Sequence, residues 1–370
     1  MTTYLLAGGG TAGHVNPLLA VADRLRERDP AAEILVLGTK EGLEARLVPD
    51  RGYELVTIER LPFPRRPGRA ALAFPRRLRA AVADVRSVIT SRGVEVVVGF
   101  GGYAAAPAYL AARELGTPLA LHEANARPGI ANRLGARFTK FVGVAFEGTR
   151  VPHATWVGMP LRAEIERLDR FAARREGVRF FELREDRPTL LVTGGSSGAQ
   201  RINETILASV ATILGVGWQV VHVTGEFREA VDDPQLPGYR LLKYCDRMDL
   251  ALAVADLSLS RAGTSTVAEV TALGIPSVFV PYAAGNGEQR LNARGAVAAG
   301  GAMVVADADF TPGWIASELV PLLRNRALIA DMAVRIATVG VIDGTDRMVA
   351  LIDAALASGP ARPDGKIVSR

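Results

Sequence analysis

The chain has 370 residues, 49% of them hydrophobic and 22% charged, which excludes wholesale disorder and fits two domains of ordinary size. A single cysteine, Cys245, excludes a disulfide framework and a cysteine zinc site, and it fits a reducing, cytoplasmic setting. The net charge of +5 is uneven, because residues 1–160 hold 21 Lys and Arg against 14 Asp and Glu.

In chain order, short apolar runs alternate with longer helical patterns. Strands are expected at Tyr4–Ala7, Glu33–Leu37, Glu54–Ile58, Val94–Gly99, Pro118–His122, Phe141–Ala145 and Ala154–Val157. Helices are expected between them, including Pro17–Arg28 and Ala106–Leu115. The stretch Arg162–Arg187 is charge-rich and reads as a helical connection. Beyond it, strands are expected at Leu190–Thr193, Gln219–Val223, Tyr239–Lys243, Leu257–Ser260, Ser277–Val280 and Ala302–Val305, with helices at Thr266–Leu273 and Gln289–Ala299. Near-continuously apolar strands separated by helices predict parallel sheets covered on both faces. Ser358–Arg370 reads as a frayed tail. The start, MTTYLLAGGG, lacks the basic region of a signal peptide. No apolar run reaches ~18 residues, so any membrane role is expected to be peripheral.

Each half opens with a strand that runs into glycines and then a helix: LLAGGGTAGHVNP from Leu5 and LLVTGGSSGAQRIN from Leu190. The repeat predicts two similar doubly wound domains whose ligands sit at the carboxyl ends of the strands, in a cleft between them. Glycine allows close backbone approach, and a helix N-terminus favours anions, although such a turn is also an ordinary structural feature. The first loop has the glycines of a dinucleotide fingerprint, but the second strand ends Leu37-Gly38-Thr39 without the ribose acid; nor does a P-loop Lys-Ser/Thr follow. His14 stands out at the helix start. His122, Glu123 and Asn125 cluster after a strand, where they read equally as a site or as a turn. Ser196 can cap a helix or donate to a phosphate. Glu269 can favour its helix dipole or accept from a ribose. Gln289 and Asn292 share one helix face.

Taken in order, GGGTAGH, HEANARPG, VGMPLR, GGSSGAQ, SRAGTSTVAE and PYAAGNGEQRLNA resemble the MurG glycosyltransferases of peptidoglycan synthesis, from Leu5 to about Met348. The resemblance implies an α/β fold of GT-B architecture, two Rossmann-like doubly wound domains separated by a deep cleft. Residues 1–161 would take the acceptor lipid I and face the membrane, 162–345 would bind UDP-GlcNAc, and 346–370 would form a C-terminal helix and tail. The implied reaction is inverting transfer of GlcNAc from UDP-GlcNAc to the MurNAc 4-hydroxyl of lipid I, giving lipid II at the cytoplasmic membrane face. By match to the family motifs, Thr11, Ala12 and Gly13 lie near the donor sugar and pyrophosphate, Asn125 contacts the sugar, and Arg162 lies on the donor side. Ser196 would bind phosphate; Ala262, Gly263, Thr264, Ser265 and Thr266 would surround the diphosphate; Glu269 would hold the ribose. Gln289, with Asn292 beside it, would reach the sugar hydroxyls, and Cys245 stands where the family has an aliphatic residue beside uracil. Ala12, Ser197 and Met159 depart from the residues common in the family (Gly, Gln and Asn).

Inverting displacement needs a base, a diphosphate stabiliser and proximity. His14 is the leading base because histidine titrates near neutrality, with Glu123 second. Helix N-termini and Arg162 would stabilise the leaving group, so no obligatory metal or cofactor is expected; the Asp307–Asp309 DAD resembles a metal motif but reads as a turn. Nine arginines and one acid, Asp84, fall between Arg60 and Arg92. Leu61, Phe63 and Phe74 interleave there with Arg76, Arg77 and Arg79, a pattern suited to an anionic membrane surface; a solvated face is the plainer reading. The rivals are a UDP-GlcNAc 2-epimerase or another GT-B glycolipid transferase, a dinucleotide-dependent oxidoreductase, and a nucleic-acid-binding protein. The last would leave both glycine loops unexplained, so no nucleic acid is expected as a partner.

Overall fold

The computed structural model describes residues 1–64, 68–195, 199–225, 233–282 and 287–359. The chain divides into two compact units, Met1–Arg162 with Asp343–Arg370, and Ala163–Ile342.

The first unit is built on a seven-stranded parallel sheet: β1 (Thr3–Gly8), β2 (Glu33–Gly38), β3 (Glu54–Thr57), β4 (Val96–Gly101), β5 (Leu119–Glu123), β6 (Phe141–Val144) and β7 (Ala154–Trp156), in the order β3-β2-β1-β4-β5-β6-β7. Every residue of the central strands β1 and β4 is buried, which explains their unbroken apolar runs. Five helices cover the faces: α1 (Ala12–Arg28), α2 (Glu44–Asp50), α3 (Arg69–Ser91), α4 (Ala105–Leu115) and α5 (Ile130–Gly135). Val15, Leu18, Leu19, Ala22 and Leu25 of α1 recur at helical spacing and are buried against the sheet. The last helix, Gly344–Ala357, returns to this unit. Its Met348, Val349, Ile352 and Ala355 join the core with α1, while Asp346 and Asp353 pair with Arg24 and Arg28.

The second unit repeats the plan with β8 (Thr189–Thr193), β9 (Gln219–Val223), β10 (Tyr239–Leu242), β11 (Ala255–Ser260), β12 (Ser277–Phe279) and β13 (Ala302–Val304), all parallel, in the order β10-β9-β8-β11-β12-β13. β8 therefore holds the topological place of β1, and the sequence near-repeat starts on the equivalent central strand of each sheet. Its helices include α6 (Ala163–Glu166), α7 (Arg170–Phe180), α8 (Gln200–Gly215), α9 (Met248–Val254), α10 (Thr264–Ala272), α11 (Glu288–Asn292) and α12 (Arg294–Ala298). The helix expected over Gln289–Ala299 is two short helices broken at Ala293. The charge-rich stretch after Arg162 packs into this unit: Arg170 donates to Leu273 O and Ala255 O, and Arg174 to Val254 O and the Asp256 carboxylate. The tail expected beyond Ser358 lies, past Gly359, outside the described residues.

Two buried histidines carry a testable charge state. His222 on β9 has Nδ1 2.8 Å from the Tyr239 hydroxyl and Nε2 3.0 Å from Asn203 Oδ1. His122 on β5 donates Nε2–H to Gly158 O at 2.9 Å. Burial pushes both imidazoles down to about 4. The unfolded chain binds these protons from the ordinary 6.5 downward, so the stabilisation is complete above that pH and is lost as pH falls toward 4. Each group accounts for on the order of 3 kcal/mol. Melting followed by circular dichroism should show the midpoint falling across this window, and falling less in His222→Gln. A midpoint with the same slope in both proteins would contradict the buried neutral His222.

Candidate functional site

The carboxyl ends of the strands in each unit carry the loops singled out in the sequence. In the first unit the turn after β1 is shaped by Glu44 at the start of α2. Its buried carboxylate accepts from Gly10 N (2.8 Å), Thr39 N (3.0 Å) and the Thr39 hydroxyl (2.9 Å). A Cβ on Gly9, Gly38 or Gly42 would stand within 2.5 Å of this side chain, so the glycines make room for the acid as well as for any ligand. Sequence reading missed Glu44; two glycines, Gly38 and Gly42, within six residues of this acid were the available signal.

Thr11 caps α1 and is exposed; Ala12 and Gly13 form its first turn. His14 Nδ1 lies 3.1 Å from Gly9 O and 3.3 Å from the Thr11 hydroxyl. A carbonyl can only accept, so Nδ1 carries the proton and Nε2 presents its lone pair. Nε2 faces Gly101, where an added Cβ would be 3.2 Å away. Gly101 and Gly102 have φ of +88° and +86°, and a Cβ on Gly102 would stand 2.3 Å from Gly9 O. The turns after β1 and β4 thus touch through backbone alone.

Glu123 ends β5, buried. Its Oε1 accepts from Asn125 N (2.8 Å); its Oε2 accepts from Gly129 N and Asn132 Nδ2 (each 2.9 Å). Asn132 in turn accepts from the buried Tyr109 hydroxyl at 2.6 Å. These bonds commit both oxygens to shaping the 123–129 loop. Asn125 is half-buried on that loop, and Arg162 is half-buried at the end of the unit.

In the second unit, Ser196 lies outside the described residues. Ala262 is fully buried, Gly263 caps α10, and Thr264, Ser265 and Thr266 form the first turn of that helix, with half-buried Glu269 one turn on. Gln289 Oε1 accepts from Tyr282 N at 2.8 Å. Asn292 is buried, and its Nδ2 donates to Ala262 O at 3.3 Å, so this amide braces the turn. Cys245 is half-buried after β10, and burial pushes its thiol up to about 11.

The membrane-facing set is only partly exposed. Leu61 is buried at 6% exposure, so it belongs to the core, whereas Leu72 of the same basic-apolar stretch is 84% exposed. Phe63 is exposed and meets Phe74 edge-on at 5.4 Å. Arg76 and Arg79 are exposed, whereas Arg77 is committed to the Glu59 carboxylate (2.7 Å) and Arg60 O (3.2 Å). Among the described residues no helix is long and apolar enough to cross a membrane, and no His, Cys, Asp and Glu group could hold a metal ion.

A model of the glycosyltransferase family 28 N-terminal domain matches residues 4–144, and one of the family 28 C-terminal domain matches residues 189–348. The chain is 65% identical over 358 residues to the UDP-N-acetylglucosamine–N-acetylmuramyl-(pentapeptide) pyrophosphoryl-undecaprenol N-acetylglucosamine transferase of Leifsonia xyli subsp. xyli, with 97% of this chain and 100% of that one covered. Among solved structures, Acinetobacter baumannii MurG is similar at a TM-score of 0.77 and 29% identity, covering 96% of this chain and 100% of that one. A UDP-GlcNAc 2-epimerase from Neisseria meningitidis, bound to UDP-GlcNAc, reaches a TM-score of 0.61 at 13% identity over 96% of this chain and 100% of that one, a likeness of fold alone.

The His14 geometry is open to a direct check. Nitrogen-15 NMR of histidine should find His14 as the Nδ1–H tautomer at neutral pH. Gly101→Ala combines an unfavourable φ with a methyl beside Nε2, so it should shift that resonance and cost about 1 kcal/mol or more in melting experiments. An unshifted His14 signal in the variant would contradict the close approach.

Proposed function

The chain belongs to the glycosyltransferase family 28 enzymes that carry N-acetylglucosamine from its UDP-linked donor to N-acetylmuramyl-(pentapeptide) pyrophosphoryl-undecaprenol, and we propose from that premise how its residues divide the work. It is an N-acetylglucosaminyltransferase of the MurG family, acting in peptidoglycan synthesis on UDP-GlcNAc and lipid I. The 65% identity over nearly the whole chain carries this reading, in preference to the epimerase alternative.

His14 is the general base. Its Nδ1–H is anchored on Gly9 O, which leaves Nε2 to take the proton of the acceptor hydroxyl as that oxygen attacks the anomeric carbon. UDP departs with inversion. The charge on its diphosphate is met by the amino end of α10, by Ser196 and by Arg162, with no obligatory metal. Glu269 takes the ribose hydroxyls, Gln289 and Asn125 the sugar, and backbone groups at Cys245 the uracil. Thr11, Ala12 and Gly13 complete the turn around His14. Glu44 and Glu123 act through the loops they hold.

Membrane contact is made by the exposed start of α3 and the segment before it. Phe63, Leu72 and Phe74 supply apolar area; Arg76 and Arg79 supply charge, each worth ~1 kcal/mol near an anionic surface. This puts the protein peripherally on the cytoplasmic face of the membrane, where a polyprenyl-linked acceptor resides.

Two measurements follow. In a GlcNAc-transfer assay run in EDTA, His14→Ala should lose at least about a hundredfold in turnover while UDP affinity by calorimetry stays within a factor of about two. Near wild-type turnover would remove His14 from the chemistry, and a wild type silent in EDTA would refute metal independence. In sedimentation with anionic vesicles, Arg76→Glu with Arg79→Glu should weaken binding about tenfold or more. Unchanged sedimentation would refute the docking face.

A further inference from the structure

The Asp307–Asp309 turn was singled out by its acidic spacing, and no step above uses it. Asp307 follows β13, and its Oδ1 accepts from Arg261 Nη1 at 2.5 Å. Arg261 directly follows β11, is only 9% exposed, and also donates Nη1 to Val280 O at 2.9 Å, with Pro281 O at 3.5 Å. Its guanidinium lies 5.6 Å from the ring centre of Tyr282. One side chain thus ties together the carboxyl ends of three adjacent strands, β11, β12 and β13. Both flanks of the tie carry donor-site residues. Ala262 to Thr266 follow Arg261 directly, and Tyr282, after Pro281, is bonded to Gln289.

We propose that Asp307 is a positioning residue of the nucleotide-sugar site, acting through Arg261 to hold the Ala262–Thr266 turn in register with the Pro281–Tyr282 segment. The carboxylate supplies the counter-charge that keeps a nearly buried guanidinium folded across the sheet edge. Without it, Arg261 retains carbonyls and the Tyr282 ring but no anion, and a buried cation without an anion moves toward water. The turn is then free to shift relative to Gln289, and the loss falls on donor binding. A group touching the reacting atoms would instead lower the chemical step. This inference rests on the assignment of the donor to the second unit.

The test measures UDP affinity by calorimetry and donor KM and kcat in the transfer assay. It compares the wild-type chain with Asp307→Ala, Asp307→Glu, Arg261→Ala, the double variant Asp307→Ala/Arg261→Ala, and Glu269→Ala as a donor-site reference. Asp307→Ala should weaken UDP binding and raise the donor KM about tenfold while kcat stays within about twofold. Asp307→Glu should recover most of the affinity, and the double variant should bind no worse than the more affected single one, as for two residues acting as one unit. A lowered melting temperature with unchanged UDP affinity in Asp307→Ala would overturn the proposal and leave Asp307 a purely structural group. Weakened binding in Glu269→Ala alone would overturn the Asp307 role and keep the donor site. If wild type fails to bind UDP, or Glu269→Ala binds as wild type does, the donor assignment falls and the inference falls with it.

Discussion

Loops at the carboxyl edge of a parallel sheet have no ladder to satisfy their backbone groups, and a buried amide or carbonyl without a partner is costly. This protein meets the constraint with buried polar side chains that bond to loop backbone. Glu44 holds Gly10 and Thr39, Glu123 holds Asn125 and Gly129, Asn292 holds Ala262, and Arg261 holds Val280. The turns are therefore fixed before any substrate arrives. A preorganised site spends less of its binding energy on ordering itself, which is the condition for stabilising charge as it develops.

The same constraint places the side chains of the first glycine turn. His14 is placed by a turn whose shape Glu44 sets, and its tautomer follows from the Gly9 carbonyl. Glu44 and Glu123 have both carboxylate oxygens bonded to loop groups, so these two acids are part of the scaffold.

The strands were legible in the sequence because a central parallel strand must be apolar on both faces, as β1 and β4 are. The repeated glycine turn gave the two-unit plan for the same reason, since β1 and β8 hold equivalent places in their sheets. The motifs marked His14 and the segments that follow β5, β8, β11 and β12. Sequence did not reveal which polar residues point into the loops, because that depends on contacts between segments distant in the chain. Glu44 reaches Gly10, and Asp307 reaches Arg261, across 34 and 46 residues. Leu61 and Leu72 show the same limit: both sit in a basic-apolar stretch, and only packing decides that the first is core and the second is surface.

The enzyme transfers GlcNAc to a lipid-linked acceptor with a fold that a UDP-GlcNAc 2-epimerase shares. UDP release from UDP-GlcNAc by the purified chain, measured with and without a lipid I analogue, separates the two reactions. Release is expected only when the analogue is present, with GlcNAc recovered on the analogue in equal amount. UDP release without acceptor, accompanied by an altered free sugar, would contradict it.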